Sequence, residues 1–417
     1  MLYLYRIIIN FVFLLSPVVL VARIFNKKEH KYRFKEKLGS IVIKRKPGKL
    51  IWFHASSVGE LLSIIPLIEK LEKIQQIKTI LVTTNTLSSS RVFKKKKYLN
   101  KTIHQFLPID TNNLSLKFLN YWKPSIAIFV ESEIWPNFIF NIKKFNIPLL
   151  LINGRFTQKT FKSWKKIPLF AEKIFKKFDL CLVQNKESKK FLKYFKAKKI
   201  KEHGNLKFSK SNHKAYKTNK KELSNLFGGK KIWCASSTHD NEEIICAEVH
   251  NKLKVKIKNL VTIIIPRHIN RIDTIINQIK LKNLNVAIHS KKNFNYKKTD
   301  IYLVDTYGEV EKFYDISEFV FLGGSLINHG GQNPIEPSRY GCKIFHGPHI
   351  QNFREVYSFL HKLKISKKIK NGADLYKSIL QKNDNLLRKK FILNNKLDII
   401  GKKILSETFL EIKSFIN

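Results

Sequence analysis

Acidic side chains are scarce in this chain. Asp and Glu together number 31 against 79 Lys and Arg, which leaves a formal charge of +48. A surplus of that size attracts polyanions, and it admits nucleic acid, anionic lipid or a phosphorylated substrate as partners. The richness in Lys, Asn, Ile and Phe runs the whole length, as biased codon usage would produce, so part of the charge needs no functional explanation. Cysteine is also sparse. Cys181, Cys234, Cys246 and Cys342 are scattered in apolar surroundings with no Cys-x-x-Cys pair, a pattern that favours buried, reduced thiols in a cytosolic compartment over a metal or redox role. No Asp-x-Asp motif and no His/Cys cluster with ligand spacing occurs, so nothing in the sequence calls for a metal. A recognised nucleic-acid module is lacking too.

The apolar N-terminus has no small-x-small cleavage site after it, which argues against a removed signal. Its most apolar part covers about 17 residues, near the lower limit for a spanning helix, and Asn10 and Pro17 weaken it further. Arg23, Lys27, Lys28, Lys31, Arg33, Lys35 and Lys37 follow. Cations beside an apolar anchor favour the cytoplasmic side of a membrane and its anionic headgroups. The expectation is a retained anchor over residues 1–26, inserted or spanning.

A chain of 417 residues has room for two domains. Strand-like runs recur at Leu50 to Phe53, Thr79 to Thr83, Ile126 to Val130, Pro148 to Ile152 and Leu180 to Val183, with helical patterns between most of them. From Ser209 to Lys221 the chain turns polar and reads as a linker. The alternation restarts at Ile232 to Ala235, Val261 to Ile265, Val286 to His289, Ile301 to Val304, Phe319 to Leu322 and Lys343 to Phe345. This predicts an α/β fold with two Rossmann-like parallel-sheet domains, 27–208 and 209–417, facing a cleft, with ligands outside the carboxyl ends of the strands. Two basic aromatic segments, Phe161 to Phe178 and Arg91 to Lys97, read either as solvated helix faces or as membrane contacts.

The stretch Phe319 to Pro337 concentrates the signals for a ligand. A buried strand runs into Gly323-Gly324-Ser325, and Gly330 and Gly331 allow a bound group to approach the backbone closely. Asn333 and Pro334 read as a helix cap and first helical position, and Glu336 is placed to cap the helix or to accept from a ribose. Elsewhere, Glu60 of Ser57-Val58-Gly59-Glu60 opens a helix after a strand, where a cap is the simplest role. Arg267 ends an apolar strand, and its guanidinium suits a phosphate. Ser237, Thr238 and His239 read as a helix start with N–H groups free for the same anion.

Gly323-Gly324-Ser325-Leu326, His329-Gly330-Gly331-Gln332-Asn333-Pro334-Ile335-Glu336-Pro337 and Gly347-Pro348-His349 resemble the donor site of the Kdo (3-deoxy-D-manno-octulosonic acid) transferases, GT-B glycosyltransferases that use a CMP-activated sugar. The likeness recurs, in that family's order, at Ser57 to Glu60, Glu131 to Asn137, Gly204 to Lys207, Ser237 to His239, Pro266 to His268 and Gly308-Glu309. The resemblance implies Glu60 as the general base, with Glu131 and Lys207 stabilising the transition state. It implies CMP binding by Pro266, Arg267, Tyr307, Gly308, Glu309, Asn333, Pro334, Ile335 and Glu336, with Ser237 and Thr238 near the same phosphate. At Tyr307 the family more usually has Met or Leu. The implied activity is inverting, metal-independent transfer of Kdo from CMP-Kdo to a lipid A precursor (lipid IVA) at the cytoplasmic face of the inner membrane. No cofactor and no nucleic-acid partner are expected, and an anionic membrane surface is. Two alternatives stand beside it: another sugar-nucleotide GT-B transferase or epimerase, and a basic nucleic-acid-binding protein, which an apolar anchor fits poorly.

Overall fold

The computed structural model describes residues 1–209, 226–291, 294, 295, 297–381 and 386–416, with the backbone alone for 386–396. Apart from Ser209, the stretch read as a linker lies outside the described residues. The chain divides into two compact units, Met1–His213 with Ile399–Asn417, and Lys214–Asp398.

The first unit is built on seven strands: β1 (Lys49–His54), β2 (Ile77–Thr84), β3 (Thr102–Phe106), β4 (Ile126–Val130), β5 (Leu149–Gly154), β6 (Leu180–Val183) and β7 (Ile200–Glu202). All pair in parallel in the order β3-β2-β1-β4-β5-β6-β7. Parallel strands need crossovers that cover both sheet faces, so the central strands are apolar throughout. Leu50 to Phe53 and every residue of β4 are accordingly buried. Trp52 anchors one face. Its ring meets Phe118, Phe129 and Phe138 at centroid distances of 4.8, 5.4 and 5.4 Å, and its N–H donates to Thr83 Oγ1 at 2.9 Å.

The second unit repeats the plan with β8 (Lys231–Thr238), β9 (Leu260–Pro266), β10 (Val286–Ile288), β11 (Ile301–Leu303), β12 (Phe319–Leu322), β13 (Lys343–His346) and β14 (Ser366–Lys368), in the order β10-β11-β9-β8-β12-β13-β14, again parallel. It has its own core, centred on Trp233, Cys246, Ile264, Phe321 and Phe345. All four cysteines are buried, and none is in a disulfide among the described residues.

Chain order had assigned everything after residue 208 to one domain, yet Ile399–Asn417 groups with the first unit. There the terminal helix packs closely: a Cβ at Gly401 would lie 2.2 Å from the carbonyl oxygen of Phe208, so only glycine fits. Glu411 pairs with Lys201, and Lys70 lies over the Phe409 ring. The segment Phe161 to Phe178 forms two helices, Gln158–Lys165 and Pro168–Phe175. Its aromatics turn inward, with Phe170 and Phe175 buried and Phe161 and Trp164 packed against the core, so solvent takes mainly the lysines and Leu169.

Two further helices matter below, α1 (Leu2–Phe25) and α2 (Val58–Leu71). Helix α1 is long and apolar enough to cross a membrane.

Candidate active site

In the first unit the candidate residues gather at the carboxyl ends of β1 and β4, which are neighbours in the sheet. After β1, Ser57 caps α2 by accepting from the Glu60 N–H at 3.3 Å. Glu60 reaches back: Ser57 Oγ donates to Oε1 at 2.8 Å and the Ser56 N–H to Oε2 at 2.7 Å. This is a reciprocal capping box. Each carboxylate oxygen carries about two acceptor sites, so both keep one in reserve. Burial, then the charges of Glu133 and Glu131, push Glu60 up to about 6 against the pull of the Ser57 and Ser56 bonds.

Two residues apart in a continuing strand, Glu131 and Glu133 would share a face, but β4 stops at Val130. Glu131 takes a left-handed backbone with φ 57°, a conformation costly for a residue with a Cβ. The turn sends the two carboxylates to different partners. Glu131 Oε1 pairs with Lys207 Nζ at 2.6 Å and receives the Asn153 amide at 3.4 Å. Glu133 Oε2 lies 3.1 Å from Nε2 of the buried His54 and accepts from the Trp135 ring N–H at 2.9 Å. Burial would raise Glu133, but the His54 bond and charge and the Trp135 bond hold it below the usual carboxylate range. The Lys207 stem passes Gly59, whose added Cβ would lie 3.9 Å from Lys207 Cε. The arrangement therefore sets an ion pair, Glu131–Lys207, beside the start of α2 and a raised carboxylate upon it.

In the second unit the candidate segments lie at the carboxyl ends of four adjacent strands, β11, β9, β8 and β12. Ser237 and Thr238 end β8 itself; the helix begins only at Glu242, with Asn241 as its cap residue. The expected helix start at Ser237 is therefore corrected. Ser237 also takes a left-handed backbone, φ 55°. Of the N–H groups expected to be free for an anion, that of His239 is not: Glu242, buried within the unit, accepts from it at 3.0 Å and from the backbone N–H of Gly324, Ser325 and Leu326 at 2.7, 3.2 and 3.0 Å. The Gly323-Gly324-Ser325 turn thus closes around a protein carboxylate. Gly323 is needed because a Cβ there would stand 2.5 Å from the Ser237 carbonyl oxygen.

Pro266 ends β9, and the Arg267 N–H donates to the Thr238 carbonyl at 2.9 Å, which ties the two strand ends. The exposed Arg267 guanidinium makes no hydrogen bond or ion pair among the described residues. Tyr307 is exposed, Gly308 has φ 88° with open space where a Cβ would be, and Glu309 precedes the helix Val310–Ile316. Bonds from Lys312 and Thr306, then the Lys312 charge and the His289 bond, bring Glu309 down to about 2 against its burial. Asn333 Oδ1 accepts from Ile335 N–H at 3.1 Å, but the helix Ile335–Arg339 has Pro334 at its cap position, so the expected cap at Asn333 and first helical position at Pro334 are each corrected by one residue. Burial, with Glu311 nearby, pushes Glu336 up, and Arg339 offsets this in part. Among the described residues no group of three or more His, Cys, Asp or Glu side chains has metal-site geometry.

Comparison with known proteins adds four findings. A family model described as 3-deoxy-D-manno-octulosonic-acid transferase (kdotransferase) matches residues 32–210. The chain is 34% identical over 375 residues to the 3-deoxy-D-manno-octulosonic acid transferase of Rickettsia prowazekii (strain Madrid E), covering 88% of this chain and 80% of that protein. It is 30% identical over 332 residues to the Haemophilus influenzae enzyme of the same name, covering 79% and 77%. Among solved structures, UDP-GlcNAc 2-epimerase from Neisseria meningitidis superposes with a TM-score of 0.59 at 11% identity over 87% of this chain and 100% of that one, which shows a shared fold of the GT-B type.

Proposed function

Because the chain belongs to the 3-deoxy-D-manno-octulosonic acid transferase family and is therefore a glycosyltransferase, we propose that it moves Kdo from CMP-Kdo to a phosphorylated lipid A precursor, lipid IVA. It does so with inversion, without a metal, and at the cytoplasmic face of the inner membrane. In this reading Glu60 takes the proton from the acceptor hydroxyl as that oxygen bonds to the anomeric carbon, and the bond from that carbon to the CMP phosphate oxygen breaks. A carboxylate raised to about 6 is ionised near neutral pH yet basic enough to accept a proton. Lys207, held by Glu131, supplies positive charge to the developing transition state.

The donor reading places the CMP phosphate against Arg267 and Ser237, and the nucleoside along Tyr307 to Glu309 and Asn333 to Glu336. The observation that carries it is the exposed Arg267 guanidinium at the end of β9, without a hydrogen bond or ion pair among the described residues and next to the Ser237–Thr238 strand end. A bidentate phosphate contact there strengthens as charge passes to the leaving group. Competition between CMP and UDP nucleotides tests this directly: CMP alone should displace the donor, and displacement by UDP would move the protein to another donor class.

A further inference from the structure

The shielded positions of α1, 2, 5, 6, 9, 13, 16, 20, 23 and 24, fall in groups three or four residues apart. That spacing marks one face of a helix lying lengthwise on the first unit. Both of its ends are held there. At the start, Tyr5 Oη donates to Asp110 Oδ2 at 2.7 Å and Arg6 Nε to Asn137 Oδ1 at 3.0 Å. At the far end Arg23 pairs with Glu29 at 3.5 Å, Glu29 also pairs with Lys37, and the Lys37 carbonyl accepts from the Ile109 N–H at 2.9 Å. Ile109 and Asp110, neighbours in the chain, therefore secure opposite ends of the segment. The opposite face is bare and apolar: Leu4, Ile8, Phe11, Leu15, Val18 and Phe25 are all exposed.

Twenty-four residues make a helix of about 36 Å, enough to span the roughly 30 Å hydrocarbon layer. A span would carry one end to the far side of the bilayer, away from the body. Such a displacement would break either the Tyr5 and Arg6 contacts or the Arg23–Glu29–Lys37 link. We propose that α1 does not cross the membrane but lies in its plane, bound to the first unit along one face and sunk into the headgroup–acyl boundary along the other. This rests on the reading that the protein works at a membrane. The occupant of the bare face is anionic lipid, because the exposed cations Lys27, Lys28, Lys31 and Lys35 follow the helix directly and complement anionic headgroups.

The test uses the full chain with Leu4→Cys, Phe11→Cys or Val18→Cys, each carrying a nitroxide; the four native cysteines are buried and stay unlabelled. The variants are bound to vesicles of phosphatidylethanolamine and phosphatidylglycerol, and label depth is read from oxygen and nickel-chelate accessibility. The in-plane helix gives three similar, shallow depths of about 5–10 Å. Phe11 near the bilayer centre with Leu4 and Val18 towards opposite surfaces overturns the inference and leaves the anchor reading intact. Labels that couple to one another and are sheltered from both reagents show a second copy on the face, which also overturns it. Absence of vesicle binding removes the membrane reading itself.

Discussion

Glu60 is both a helix cap and the proposed base, and pH separates the two roles. A base must be ionised, so turnover with lipid acceptor should rise with pH through about 6 and level off above it. Stability runs the other way. The folded value lies above the ordinary 4.5, so this group's contribution is complete below about 4.5 and is lost as pH rises through about 6, a change of about 2 kcal/mol. In Glu60→Gln the pH step in turnover should vanish and the rate should fall by roughly two to four decades. Gln can still accept from Ser56, and CMP affinity, which the proposed reading assigns to the other unit, should hold. Melting temperature and turnover measured on one preparation decide the matter, and a variant that is less stable yet fully active refutes the base. For Arg267→Ala, which removes an exposed cation, the expected loss is about 2 to 4 kcal/mol of barrier, roughly two to three decades in rate. Unchanged turnover at saturating donor would take Arg267 out of the mechanism. Glu60 and Glu131 were legible because each follows an expected strand, whereas Lys207 follows β7, which has no apolar run to mark it, and entered only through the resemblance of Gly204 to Lys207. His54 and Glu242 were not legible, since their partners lie 79 and 82 residues away along the chain. Locally, Glu242 and Glu243 are acidic residues in a first helical turn, a common placement that carries no sign of the loop it holds.

At the scale of elements, apolar runs located the central strands, and β4, β6 and β12 fall on the expected bounds. The missed strands are β3, β7 and β14. β7 and β14 are short, polar edge strands, Ile-Lys-Glu and Ser-Lys-Lys, that need no apolar run. β3 hides His104 and Gln105 in its interior, where His104 is served by Arg33 and Thr84 and Gln105 accepts from Trp122. Helix α1 carries more than its composition suggested. Asp110 takes the N–H groups of Asn137 and Phe138 at 3.0 and 2.8 Å, in the first turn of the helix that follows the Glu131–Trp135 loop, and Tyr5 completes its bonds. Deleting residues 2–25 should therefore lower stability by about 1–3 kcal/mol through an under-bonded buried carboxyl, and reduce activity on membrane-embedded acceptor. CMP binding should be retained, because no donor segment lies in α1. Loss of CMP binding on calorimetric titration would contradict this.

For the molecule as a whole, the +48 charge and the apolar face of α1 act on the same proposed partner by different physics. Attraction of lysines to anionic headgroups is screened over about 8 Å at physiological salt, whereas insertion of apolar side chains is not. Vesicle binding should therefore weaken as salt rises but persist at high salt, and complete release would assign attachment to charge alone. The central claim is the transfer itself. Incubating the purified full chain with CMP-Kdo and lipid IVA, and weighing the lipid product by mass spectrometry, tests it most directly. The account predicts lipid carrying one or more added Kdo residues, with CMP released in equal number; unmodified lipid beside intact CMP-Kdo, from protein that is folded and binds CMP, would contradict it.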